Sequence, residues 1–183
     1  YTNPMAIISG YMQRYTKVKT IGLCHSVQVC SKTVLDGLKI PYEEPLRERI
    51  AGINHMGWLL EIEDAKGNDL YPEIRKRAAE LLADSSTENT DLVRYEYIRR
   101  FGHYCTESSE HNAEYNPFYI KSKYPELIER YHIPLDEYIR RCINQIDEWE
   151  KMAHDLVNDP SLTHERSREY ASRIMDAVYA GGV

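Results

Sequence analysis

A thiol and an imidazole stand side by side at Cys24-His25. Together they offer a metal ligand with an acid/base neighbour, or a nucleophile pair. The plainer alternative is a buried cysteine beside an incidental histidine. His55, in the apolar run Gly52-Ile53-Asn54-His55-Met56-Gly57-Trp58, reads by itself as a hydrogen-bonded core residue. Paired with Cys24, it adds a borderline ligand to a soft one. That set suits a borderline divalent ion with positions left open for substrate, although the spacing matches no standard metal-site pattern. The densest titratable string is Thr106-Glu107-Ser108-Ser109-Glu110-His111-Asn112-Ala113-Glu114-Tyr115. Glu110 and His111 make it a candidate site loop; the alternative is a solvated surface loop. Arg94-Tyr95-Glu96-Tyr97 spreads around a helix and reads as surface or packing. In Ser167-Arg168-Glu169-Tyr170, helix capping explains Ser167 and Glu169 but not Arg168 or Tyr170.

These residues need elements to hold them. Asn3 as cap and Pro4 at the first helical position predict a helix over 3–15. Residues 17–23 read as a strand with Cys24-His25 at its end. Neighbours on a strand point to opposite faces, so no direct Cys–His ion pair is expected there. A helix is predicted over 27–38, a connector over 41–45 and a strand over 51–62. A turn cluster at 64–69 predicts a hairpin, followed by helices over 72–83 and 91–101 with a polar loop at 84–90 between them. Residues 102–117 read as irregular. The longest helix is predicted over 134–158, with Leu135, Ile139, Cys142, Ile146, Trp149 and Ala153 on one stripe. A last helix is predicted from 167 to 179. The fold class is α+β, with helices dominant.

The chain has 183 residues, 42% hydrophobic and 28% charged, which is one domain's worth of ordinary globular composition. A net charge of −6 without a basic block argues against nucleic-acid binding, and no apolar run is long enough to span a membrane. Four scattered cysteines fit a reducing compartment rather than a disulfide scaffold. Tyrosine is over-represented, 15 against 2 Phe and 2 Trp, which suits amphipathic packing or, alternatively, a polar sugar pocket. The sequence holds no G-x-G-x-x-G, no Walker A loop, no G-x-S-x-G and no paired C-x-x-C. Both ends, one without an initiator Met and one stopping at Ala180-Gly181-Gly182-Val183, suggest an excised domain.

Several of these stretches resemble glycoside hydrolase family four, in its α-galactoside-cleaving branch of the bacterial melibiase type. They are Gly22-Leu23-Cys24-His25-Ser26-Val27-Gln28, Ala51-Gly52-Ile53-Asn54-His55-Met56, Val93-Arg94-Tyr95-Glu96, Thr106-Glu107-Ser108-Ser109-Glu110-His111 and Ser167-Arg168-Glu169-Tyr170-Ala171-Ser172. Ile128-Glu129-Arg130-Tyr131, leading into Pro134-Leu135-Asp136-Glu137-Tyr138, is a weaker part of the likeness.

The resemblance implies the two-domain plan of lactate and malate dehydrogenases. Residues 1–183 would be the helix-rich substrate and metal domain, without the N-terminal dinucleotide-binding domain and the final segment. The implied cofactors are NAD and Mn2+ or another divalent ion. The implied reaction is oxidation at the sugar C3, elimination across C1–C2, addition of water and reduction, an exception to the two-carboxylate rule of glycosidases. By the same resemblance Cys24 and His55 are metal ligands, His25 protonates the leaving oxygen or contacts the sugar, and Asn3 binds sugar hydroxyls. His111, Arg168 and Tyr170 join the substrate contacts. In the family's phosphoglycosidase branch the base is a tyrosine at the start of a helix after the metal histidine. Tyr95 is the nearest counterpart, with Tyr97 or Glu110 as alternatives. The resemblance departs at Val29-Cys30, where the family usually has a glycine.

An α-galactoside such as melibiose is the implied substrate, and a cytoplasmic homodimer or homotetramer the implied assembly. An α-glucosidase or α-glucuronidase of the same family remains open. From another class, so does a metal-free dehydrogenase of the lactate/malate type.

Overall fold

The computed structural model describes residues 4–53, 55–159 and 171–181. The chain divides into two compact units, Tyr1–Pro134 and Leu135–Val183.

In the first unit, helix α1 spans Met5–Tyr15, with Pro4 in the capping position rather than inside the first turn. Residues 17–23, expected as a strand, are irregular. Val18 and Ile21 have strand-forming side chains, but both are more than half exposed. Strand propensity is realised only where a neighbouring strand accepts the backbone hydrogen bonds, and none does here. Helix α2, His25–Gly37, starts two residues before the predicted point, and Cys24 is its N-cap. Val29 and Cys30 lie inside this helix, and no positive φ is needed there. Cys30 packs in the core, where burial pushes its thiol up to about 12.

The predicted strand over 51–62 is two strands. β1, Arg47–Ile53, and β2, Met56–Glu63, pair antiparallel with His55 in the turn between them, and β2 pairs with β3, Tyr104–Cys105. The order is β1-β2-β3. The strand-like run hid the reversal, because its polar pair Asn54-His55 contains no glycine or proline, and His55 turns in a left-handed conformation with φ 63°. Gly52, at φ 138°, pairs with Gly57, and a Cβ on it would stand 2.5 Å from the Met56 carbonyl oxygen. The 64–69 cluster is a turn in which the Asp64 carboxylate accepts the N–H groups of Lys66 and Asn68, both at 2.9 Å. It leads into helix α3, Tyr71–Ala83, not into a partner strand.

Helix α4, Leu92–Phe101, is the centre of the unit: every residue from Leu92 to Ile98 is buried. Of the two readings of Arg94-Tyr95-Glu96-Tyr97, surface or packing, the structure gives packing. With α3, α5 and β3 packed around it, α4 has no wet side along that stretch. Its charges are buried with partners. Arg94 pairs with Asp91, and Glu96 accepts from Arg99 and Arg100, both at 2.5 Å. Val93 of α4 and the neighbouring Leu59, Ile62 and Ile74 are fully buried, each contributing roughly 1.5–3 kcal/mol of apolar burial. Much of the tyrosine excess is core: Tyr71, Tyr95, Tyr97, Tyr104, Tyr119 and Tyr131 are all buried.

Residues 102–117, expected as irregular, contain β3 and helix α5, Ser109–Tyr115. Polar side chains masked α5. Ser108 caps it, and Ser109, His111, Asn112 and Ala113 are buried. A short helix α6 spans Glu126–Arg130.

The second unit holds α7, Glu137–Asn158, and α8, Ala171–Tyr179. α7 is amphipathic as the stripe predicted, with Ile139, Ile146 and Trp149 exposed. The expected start of the last helix at 167 lies outside the described residues. Among the described residues no helix is long and apolar enough to cross a membrane.

Candidate active site

Cys24 and His25 occupy the start of α2. The Cys24 backbone is extended, and its carbonyl accepts the N–H groups of Val27 and Gln28 at 3.2 and 3.3 Å. Its half-buried thiol lies 2.9 Å from the Ser26 hydroxyl. His25 is the first helical residue. The opposite-face argument for a strand end therefore does not apply to this pair.

His55 sits in the β1–β2 turn, and the string from Thr106 to Tyr115 folds against it. The Thr106 N–H donates to the Gly57 carbonyl at 3.0 Å, fixing the string to the hairpin. Glu107 then places its Oε2 3.5 Å from His55 Nε2. The Ser108 N–H donates to the other carboxylate oxygen at 2.9 Å. Ser108 Oγ accepts from the His111 N–H at the α5 N-terminus and lies 3.0 Å from His111 Nδ1. The Asn112 amide donates to the carbonyls of Glu107 and Ser108, at 2.8 and 3.0 Å, which locks the approach to α5.

Positions 111 and 115 are one helical turn apart and share a face. The Tyr115 ring lies parallel to the His55 ring, 6.4 Å between centroids with 9° between planes. His111 meets both rings edge-on, at 6.4 Å from His55 and 5.6 Å from Tyr115. The hairpin turn and the face of one short helix thus gather His55, Glu107, His111 and Tyr115.

Tyr95 lies elsewhere. It is fully buried in α4, and a Cβ on Gly37 would come within 2.5 Å of its hydroxyl. Burial, reinforced by the Asp91 charge, drives its phenol well above the ordinary tyrosine range. Tyr97 is buried too, donates to the Asn112 carbonyl at 3.4 Å, and is driven up by burial. A base needs the opposite shift. Glu110 lines a cavity of about 370 Å³ with Thr33, Asp91, Arg94, Tyr95 and Ser109. Asn3, Arg168 and Tyr170 lie outside the described residues.

Sequence reasoning singled out His55 and His111 but passed over Glu107 and Tyr115. The missed signal was Ser108 as an N-cap. Reading 109–115 as a helix would have put His111 and Tyr115 on one face.

Among the described residues no group of three or more His, Cys, Asp or Glu side chains is arranged to hold a metal ion. The donors present are a free half-buried thiol at a helix start and a partly exposed imidazole beside a carboxylate. A soft and a borderline donor are of the kind that can hold a divalent ion.

A helix-rich domain with a small sheet thus carries a histidine–carboxylate–tyrosine cluster at its hairpin turn. Residues 50–182 match the Family 4 glycosyl hydrolase C-terminal domain, and residues 1–40 match the Family 4 glycosyl hydrolase model. The chain belongs to glycosyl hydrolase family 4. It is 58% identical over 178 residues to an alpha-galactosidase of Bacillus subtilis, covering 97% of this chain and 40% of that protein. It is 30% identical to an alpha-galactosidase of Rhizobium meliloti, covering all of this chain and 38% of that protein. The fold matches a crystal structure of a 6-phospho-alpha-glucosidase from gut microorganisms in complex with NAD and Mn2+. The TM-score is 0.62 at 20% identity, over 98% of this chain and 42% of that one. The chain thus spans about 40% of the length of the curated relatives it matches.

Proposed function

We propose that the protein containing this chain hydrolyses α-galactosides, and that this chain supplies the residues that hold the sugar and move its protons. The observation that carries the reading is the partly exposed Tyr115 lying parallel to His55 at the hairpin turn. The 58% identity to an alpha-galactosidase supports galactoside as the substrate over the uronic-acid substrates named for relatives at 25–26%.

Cys24 and His55 would hold a divalent ion, which when bound supplies polarisation of the sugar hydroxyl oxygens. NAD would supply reversible hydride acceptance at the sugar C3. Its glycine-rich binding motif is absent from these 183 residues. Tyr115 takes the role first given to Tyr95: its phenolate removes the proton from the sugar C2. His25 donates a proton to the glycosidic oxygen as it leaves C1. Water then adds at C1 and Tyr115 returns a proton to C2. His111, held by Ser108, orients the tyrosine and reaches toward the sugar hydroxyls. Asn3 would add a sugar contact in this reading, and Glu110 stays the alternative base. The four cysteines, those described all being free thiols, suit a reducing cytoplasm, and the assembly is a homodimer or homotetramer.

The test is isotopic. Conventional glycosidases pass through an oxocarbenium-like state at C1 and leave C2–H intact. The full-length protein, turning over melibiose in heavy water, is expected to release galactose carrying deuterium at C2, read by NMR. Undiminished turnover after NAD removal, with C2 fully protonated, is the result that overturns the reading.

A further inference from the structure

We propose that Glu107 is a positioning residue: its carboxylate orients the His55 ring and reserves one ring nitrogen for the metal. This rests on His55 being a metal ligand, as read above.

Two neighbours meet a single imidazole, whose backbone is left-handed at φ 63°. The Tyr115 ring lies parallel to it, at 9° with 6.4 Å between centroids. Glu107 Oε2 faces His55 Nε2 at 3.5 Å.

Glu107 is itself anchored. Its Oε1 accepts the Ser108 N–H at 2.9 Å, and its carbonyl accepts the Asn112 amide at 2.8 Å. The carboxylate is largely buried, with 14% of its side chain exposed, whereas the histidine is 41% exposed. A carboxylate buried this far and directed at one imidazole nitrogen selects the tautomer with the proton on that nitrogen. The other nitrogen, Nδ1, then carries the lone pair.

The role is distinct from that of a ligand. Glu107 acts through His55, so its loss weakens metal binding by the roughly 10–100-fold typical of outer carboxylates rather than abolishing it.

The experiment uses the full-length protein, its Glu107→Gln, His55→Ala and Cys24→Ser variants, and Mn2+ alone, with affinity read by EPR of the free ion. The apo tautomer at His55 is read by nitrogen-15 NMR. Circular dichroism and thermal melts establish that each variant is folded. Glu107→Asp, which keeps the charge on a shorter arm, serves if Glu107→Gln fails to fold. The expected result is loss of Mn2+ binding in His55→Ala and Cys24→Ser. Glu107→Gln is expected to bind about 10–100-fold more weakly, with the Nε2–H tautomer giving way to a mixture. If the two ligand variants lose Mn2+ while Glu107→Gln binds like the parent, the positioning role is overturned and the metal reading stands. If His55→Ala binds Mn2+ like the parent, the metal reading falls and takes this inference with it.

Discussion

At the residue scale, burial decides which tyrosine can act as a base. A phenol gives up its proton only where the anion is stabilised, and a dry interior does the reverse. Tyr95 and Tyr97 are buried in α4 with phenols driven upward, whereas Tyr115 is 47% exposed beside His55. Tyr115→Phe is therefore expected to lower kcat of the full-length enzyme by about 10²–10⁴-fold with little change in thermal stability. Tyr95→Phe removes only a buried hydroxyl, and is expected to leave kcat within a few-fold while moving the melting temperature. Steady-state kinetics beside melts of both variants check this. A larger kcat loss in Tyr95→Phe would return the role to α4.

At the scale of elements, the site depends on a hairpin and on the helix that backs it. The β1–β2 turn works because Gly52 and Gly57 let two backbones meet. An added Cβ at Gly52 would stand 2.5 Å from the Met56 carbonyl oxygen and 2.7 Å from the Gly57 Cα, at a φ of 138°. Gly52→Ala is expected to cost about 2–4 kcal/mol in urea unfolding, since backbone atoms on both sides must shift. Helix α4 carries a different dependence. Burial raises the Glu96 carboxyl, but Arg99 and Arg100 outweigh it and hold the group below the ordinary carboxylate range. A depressed carboxylate stabilises the fold above its unfolded pKa, and that contribution is lost as pH falls through the folded pKa. Glu96→Gln is therefore expected to cost about 1–3 kcal/mol at pH 7, with the gap from the parent closing as pH drops below about 4. Melts across that range measure it. A constant gap at all pH values would show that shape, not charge, matters at this position.

At the scale of the whole molecule, the chain covers 40% of the length of its 58%-identical relative. It lacks the glycine fingerprint that cradles a dinucleotide. The proposed reaction needs a hydride acceptor over the sugar, so the 183-residue chain alone is expected to release no galactose even with NAD and Mn2+ supplied. Measurable NAD-dependent release by this chain would overturn the division of labour between it and the rest of the protein. The units Tyr1–Pro134 and Leu135–Val183 add a second division, within the chain.

The sequence by itself determined the helices whose apolar spacing is regular: α1, α3, α4 and α7 fall within a few residues of their predicted spans. Its motifs determined the family, because strings such as Thr106-Glu107-Ser108-Ser109-Glu110-His111 keep residue order whatever their conformation. Local pattern could not decide conformation where pairing or burial overrides it. Residues 17–23 have strand composition but no strand to pair with. The run 51–62 offers only the polar pair Asn54-His55 as a mid-run break, neither of them a glycine or proline, and His55 turns the chain through its backbone dihedral. Helix α5 is built of polar residues whose burial comes from the hairpin and α4 packed over them. Only the tertiary structure brought residue 55 against residues 107, 111 and 115. Proximity across fifty residues of chain depends on how the hairpin and a capped helix pack, and neither element carries the other's position in its own sequence.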